Sequence, residues 1–309
     1  MAHTAVLLMA YGSPDSLDDI GSYLMDIRGG RPTSPELIEE IRQRYARIGG
    51  RSPLLEITRA QAAALEIALN TSDAARQSGY RVYVGMRHWQ PRIRSAVAHI
   101  AADGARRLIG LVMAPHQSHM STGAYFQQLE AAVNEEAGHL ELLRISSWHD
   151  SPGLIAALAE NAALGMRAFD TPPYVLFTAH SLPVRILQQG DAYEDQLGQT
   201  AAWVAGRLGL PAERWQFCYQ SAGQSQEPWL GPPVEQVVAD LADSGQRNIL
   251  AVPVGFTCDH VEILYDLDIV ARGIAERHGS RFERSPSLNT SPTFIAALAD
   301  LVTQYAYSL

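Results

Sequence analysis

Short apolar runs, rich in residues that favour strands, recur along this chain and are separated by longer stretches with helical periodicity. Thr4–Ala10, Tyr80–Met86, Leu108–Met113 and Leu140–Ile145 read as strands in the first half. Tyr174–Ala179, Trp215–Tyr219, Ile249–Val254 and Arg281–Arg284 read as strands in the second. Between them the pattern predicts helices from Ser34-Pro35 to Gly49-Gly50, over Thr58–Asn70, Arg92–Ala102, Ser121–Ala137, Pro152–Met166, Asp195–Leu208, Val234–Asp243 and Glu262–Arg277, and finally over Thr293–Tyr307. Ser34 is placed to cap its helix, with Pro35 at the first helical position. Strands alternating with helices of this length predict parallel sheets covered on both faces, with ligands at the carboxyl ends of the strands.

Two stretches share one grammar. Val175-Leu-Phe-Thr-Ala-His180-Ser-Leu-Pro183 is a buried strand that ends abruptly in a histidine, a serine and a proline. Val252-Pro-Val-Gly-Phe-Thr-Cys-Asp-His260-Val-Glu262 is a second apolar strand, broken at Gly255 and followed by acidic residues. The two strand ends are expected to face each other. A weak internal repeat supports duplication: Leu8–Pro14 aligns with Phe177–Pro183, and Gly104–Ile109 with Gly245–Leu250. Tyr11 is then the counterpart of His180, and His119 of His260.

Composition narrows the class. In 309 residues, 47% are apolar and 18% charged, enough for two domains with their own cores. The net charge of −9, without a basic run, argues against nucleic-acid binding. The N-terminus lacks a basic region and a cleavage site, so it reads as a first strand rather than a signal peptide. No apolar run approaches the roughly 20 residues of a membrane span, and the expected location is the cytoplasm. Cys218 and Cys258 match no zinc or iron–sulfur ligand spacing and read as buried thiols.

A neutral imidazole at a strand end can take a proton or bind a divalent metal, so His180 suits either role, although many histidines are simply hydrogen-bonded core residues. Asp259, Glu262 and Asp266 fall on one face of an α-helix that starts at a strand end, and part of that stripe is expected to reach the ligand. Arg28 and Arg44 are candidate anion clamps, since arginine binds carboxylates in a bidentate fork. No glycine-rich phosphate loop follows the first strand, which argues against nucleotide chemistry.

Taken together, Met9-Ala-Tyr11-Gly-Ser-Pro14, Arg44-Tyr-Ala-Arg-Ile-Gly-Gly-Arg-Ser52-Pro53, Gly85-Met-Arg-His88-Trp-Gln-Pro91, Ala114-Pro-His116, Ala179-His180-Ser-Leu-Pro183, Tyr219-Gln-Ser221, Trp229-Leu-Gly-Pro232 and Val252–Glu262 resemble the ferrochelatase family over nearly the whole chain. That family inserts ferrous iron into a porphyrin to make haem. The resemblance implies two Rossmann-like, chelatase-type domains, each a parallel four-stranded sheet flanked by helices, with the porphyrin in an interdomain cleft. The expected division is residues 1–115 plus 286–309 for one domain and 116–285 for the other. It also implies that His180 and Glu262 are the essential pair at the macrocycle centre and that Tyr11 faces the metal from the other side, as in the bacterial branch that uses coproporphyrin III. Arg28, Arg44, Ser52 and Tyr125 match positions that hold the substrate propionates there.

The rival readings are a protoporphyrin IX ferrochelatase, a cobalt or sirohydrochlorin chelatase, and a tetrapyrrole carrier without turnover. Fe2+ is expected as substrate, with no tightly bound cofactor, and two cysteines cannot ligate an iron–sulfur cluster. The chain is expected to be a monomer, with a haem-accepting protein as a transient partner. One departure from the family pattern is Val270, which stands where the acidic line usually continues and puts an outer metal-relay site in doubt.

Overall fold

The computed structural model describes residues 3–71, 79–223, 225 and 227–307. The chain divides into two units, the first comprising Met1–Pro115, His119–Trp148 and Asn289–Leu309, the second His116–Ser118 and His149–Leu288. Each contains one four-stranded parallel sheet with helices packed on it, as the alternating pattern predicts.

Unit 1 runs β1 (Thr4–Ala10), α1 (Ile20–Ile27), α2 (Pro35–Arg47), α3 (Leu54–Asn70), β2 (Tyr80–Met86), α4 (Ile93–Ala102), β3 (Arg107–Val112), α5 (Thr122–Glu136) and β4 (Glu141–Ile145). The chain's last helix, Pro292–Tyr307, returns to this unit and packs on α3. The strand order is β2-β1-β3-β4, with Leu8 level with Val84 on one side and Leu111 on the other. Ala5, Leu7 and Met9 face the helices α4 and α5 in one core, and the alternate residues Val6 and Leu8 are equally buried. A strand covered on both faces is why β1 reads as an unbroken apolar run.

The expected boundary at residue 115 needs correction. Segment 119–148 belongs to unit 1, because β4 pairs with β3 from Arg107↔Glu141 to Leu111↔Ile145 and α5 buries Phe126, Leu129 and Val133 in the unit 1 core. A Cβ on Gly110 would lie 2.5 Å from Leu129 Cδ2, so α5 sits directly on the strand. The short bridge His116–Ser118 alone belongs to unit 2, where Gln117 N donates to Gln196 Oε1 at 2.6 Å.

Unit 2 runs α6 (Pro152–Met166), β5 (Tyr174–His180), α7 (Arg185–Gln188), α8 (Tyr193–Leu208), β6 (Trp215–Gln220), α9 (Val234–Asp243) and β7 (Asn248–Val252). A π-helix (Glu262–Ala271) then continues directly into α10 (Arg272–Arg277) before β8 (Arg281–Arg284). The strand order β6-β5-β7-β8 repeats that of unit 1. In both sheets the chain leaves the first strand toward one edge and comes back to its other side, which puts the topological switch point at the ends of β1 and β5. Tyr11 and His180 stand at those two ends.

Candidate functional site

His180 is the last residue of β5, and its neighbours fix it through the backbone. Its Nδ1 contacts the carbonyl oxygen of Ser181, and its own carbonyl accepts a hydrogen bond from the buried Tyr193 hydroxyl at 2.9 Å. With Nδ1–H donated to a carbonyl, the lone pair of the neutral ring is on Nε2. That atom lies 3.5 Å from Glu262 Oε1. The expected meeting of the two strand ends is therefore observed, within a single unit.

Gly255 makes the meeting sterically feasible. Its N–H donates to Thr178 O at 3.1 Å, and a Cβ at this position would stand 2.4 Å from the Ala179 Cβ. Only glycine lets the segment after β7 cross so close to the end of β5. From there the chain passes Cys258 and His260 and enters the π-helix at Glu262.

A third side chain completes the arrangement. His260 Nδ1 bonds to Cys258 O at 3.0 Å, and its Nε2 lies 3.5 Å from Glu262 Oε2. The two carboxylate oxygens thus face one imidazole each. Burial opposes a charged His260, but the hydrogen bond and the charge of Glu262 outweigh it, and the pKa of His260 ends above the ordinary histidine value. His180 and Glu262 keep 32% and 33% of their side-chain surface exposed, against 14% for His260. His180 is therefore the reachable imidazole and His260 the one behind the carboxylate. His260 lies in the Asp259-His-Val-Glu262 motif, whose sequence alone gives it no role. Its spacing of two residues from Glu262 was the available signal.

The expected acidic stripe does not hold together as one face. Asp259 pairs instead with Arg284 Nη1 at 3.2 Å and accepts from Ser287 Oγ at 2.6 Å. The buried Asp266 accepts from the Ser221 hydroxyl. Glu262 reaches the two imidazoles of His180 and His260. Asp259 is drawn away by the half-buried Arg284 of β8, which takes both Asp259 and Asp268. Among the described residues, no three His, Cys, Asp or Glu side chains form a ready metal cage.

Tyr11 follows β1 and is 39% exposed, with its ring 4.7 Å from that of His88. His88 Nδ1 lies 2.9 Å from Asp26 Oδ1, and Arg92 Nη2 donates to Asp26 Oδ2 at 2.6 Å. Burial would raise the Asp26 carboxyl, yet its bonds to Arg92 and His88 bring it below the usual carboxylate range. For His88, burial dominates over Asp26 and lowers the pKa, favouring the neutral ring. Gly12 has φ +95°, and a Cβ there would come 2.8 Å from Trp89 N, so the turn after Tyr11 also requires glycine.

Arg28 is exposed just beyond α1, where its carbonyl accepts from Arg31 Nε. Arg44 is half-buried on α2 and already donates to Glu40 at 2.6 Å. Ser52 is buried, and its Oγ accepts from Leu54 N at 3.3 Å at the start of α3. Tyr125 is buried on α5 beneath the Arg87 guanidinium, 5.4 Å from its ring centroid. The corrected boundary puts Tyr125 in the same unit as Tyr11, Arg28, Arg44 and Ser52. Cys218 and Cys258 are both buried and unbridged.

Comparison with known proteins bears on the family and the fold. The family model described as ferrochelatase matches residues 3–306. A ferrochelatase of Deinococcus radiodurans is 43% identical over 97% of this chain and 95% of its own length. One from Herpetosiphon aurantiacus is 42% identical over 98% and 99%. A coproporphyrin III ferrochelatase of Geobacillus kaustophilus is 39% identical over 96% and 94%. Among solved structures, SirB from Bacillus subtilis with Fe3+ superposes with a TM-score of 0.58 at 12% identity, covering 99% of this chain and 96% of SirB, which bears on the fold alone. With a model match over almost the full length and relatives above 40% identity, this chain belongs to the ferrochelatase family, enzymes that insert ferrous iron into a porphyrin.

Proposed function

We propose that this chain is a coproporphyrin III ferrochelatase, and that His180 and Glu262 carry out the metalation. The observation behind the second part is the 3.5 Å approach of His180 Nε2 to Glu262 Oε1. Inserting Fe2+ releases two pyrrole protons, and His180, the more exposed of the two imidazoles beside Glu262, is the group that receives them. His180 takes a proton from the ring or shares a ligand position with the incoming iron, while Glu262 holds the resulting imidazolium and passes the proton on. Tyr11, at the end of β1, is a further candidate for facing the metal. Pyrrole lone pairs must tilt out of the ring plane to accept iron, so a site that binds the bent macrocycle more tightly lowers the barrier.

The substrate assignment rests on the polar groups of unit 1. Coproporphyrin III carries four carboxylates and protoporphyrin IX two, and Arg28, Arg44, Ser52 and Tyr125 provide a set suited to the larger number. The relative named coproporphyrin III ferrochelatase, aligned over 96% of this chain, supports the same reading. A second reading, protoporphyrin IX as substrate, is favoured by the existing pair between Arg44 and Glu40, which leaves that guanidinium less free for a propionate. Anaerobic steady-state assays of both porphyrins with Fe2+ decide between them. The proposal expects kcat/KM at least about tenfold higher for coproporphyrin III, the scale of one charge-assisted contact. Equal or reversed preference would overturn the coproporphyrin III assignment without touching the family.

A further inference from the structure

Among the described residues, two that are not glycine adopt positive φ, Asn289 at 42° and Ser221 at 60°. Asparagine tolerates the left-handed region, whereas serine is seldom found there. Ser221 directly follows the last residue of β6. Its backbone turn aims the hydroxyl at the buried Asp266, to which it donates. The preceding residue, Gln220, is also buried and bridges two elements: its Oε1 accepts from Thr178 Oγ1 of β5 at 2.8 Å, and its Nε2 donates to the Glu262 carbonyl at 2.9 Å. Consecutive residues thus grip two points of the π-helix one turn apart, the backbone at Glu262 and the side chain at Asp266.

A π-helix of this length is unusual, since most are single-turn bulges. Its first turn carries Glu262, whose carboxylate oxygens each lie 3.5 Å from an imidazole nitrogen, and Asp266, which is turned to Ser221. The Ser221 hydroxyl draws Asp266 toward the end of β6 and leaves Glu262 to His180 and His260. Backbone strain kept at such a place fits a functional constraint better than a packing accident.

We propose that Ser221 is a positioning residue for metalation: its left-handed backbone directs a hydroxyl onto Asp266, which fixes the first turn of the π-helix and so the placement of Glu262. The inference rests on the reading of His180 and Glu262 as the metalation pair.

Glycine, alanine and asparagine at position 221 separate strain from hydroxyl. In Ser221→Gly both the strain and the donor are lost, so Tm should hold or rise while kcat for Fe2+ insertion falls about tenfold or more, the usual scale for an outer partner of a metal-handling group, with KM for porphyrin unchanged. Ser221→Ala keeps the strain, and both Tm and kcat should fall. Ser221→Asn accepts the left-handed backbone and carries N–H donors, and should recover kcat to within about threefold of wild type. Hydrogen exchange across Glu262–Ala271 supplies a readout independent of turnover, with protection reduced in the glycine variant and kept in the asparagine variant. A glycine variant with wild-type kcat, or with unchanged exchange protection, would overturn the positioning role. A wild-type chain that inserts no iron would instead overturn the reading of the site, while the exchange experiment would still decide the role of Ser221.

Discussion

Replacing Gly255 by alanine tests whether the crossing after β7 sets the geometry of the site. The added Cβ would stand 2.4 Å from the Ala179 Cβ and 2.9 Å from its Cα, where ordinary contact begins at 3.4 Å. Ala179 cannot yield, because it lies inside β5, paired with Tyr219 of β6, and is fully buried. The segment bearing Gly255 must therefore move by about 1 Å, breaking its 3.1 Å bond to Thr178 O. Overpacking of this kind costs about 1–3 kcal/mol of stability. The same shift passes along Cys258 to His260 and Glu262, and a displacement of about 1 Å at reacting groups costs roughly a hundredfold in rate. The assay is paired: urea denaturation for stability, and anaerobic Fe2+ insertion for kcat. A folded Gly255→Ala protein with wild-type kcat would refute the claim that this close crossing positions the carboxylate.

Two further outcomes concern stability. His116 is buried against Thr200, its Nε2 2.9 Å from Oγ1, and burial with His149 nearby pushes its pKa down to about 3. The unfolded imidazole titrates near its ordinary 6.5 while the native one stays neutral, so stability is full above pH 6.5 and is lost as pH falls toward 3. At pH 5 the loss should be about 2 kcal/mol, and His116→Gln should flatten that slope in denaturant titrations; an unchanged slope would rule out His116 as its source. Arg284→Met leaves Asp259 and Asp268 without the guanidinium they share, and should cost about 3 kcal/mol, with Arg284→Lys restoring only part because an ammonium lacks the planar fork. Equal stability of the methionine variant would show that the pair of ion contacts contributes nothing net.

Much of this architecture was legible because it follows from burial. β1 and β5 are covered on both faces, so they read as continuous apolar runs, and the residues at their carboxyl ends, Tyr11 and His180, emerge as candidates without any contact information. The matching strand orders of the two sheets agree with the weak repeat that aligned those two residues. Other features left no local trace. The π-helix keeps Glu262 and Asp266 about one turn apart, as an α-helix would, so spacing alone did not separate the two forms. Asp259 looked like a member of the acidic stripe because its partner, Arg284, lies on another strand far along the sequence. The boundary near residue 115 failed for a similar reason: β4 joins the first sheet by pairing with β3, and strand pairing is not written in periodicity. Helix α1 was missed altogether, being short and set between turn-forming residues.

The central claim is that a strand-end imidazole and a carboxylate opening the π-helix together drive metalation. Its most direct test is single-turnover insertion of Fe2+ under anaerobic conditions by wild type, His180→Ala and Glu262→Gln, with porphyrin binding followed separately by absorbance. The account predicts that both variants bind porphyrin as wild type does and that each loses at least roughly a hundredfold in insertion rate, the scale of a lost general base. Insertion at the wild-type rate by either variant would contradict it.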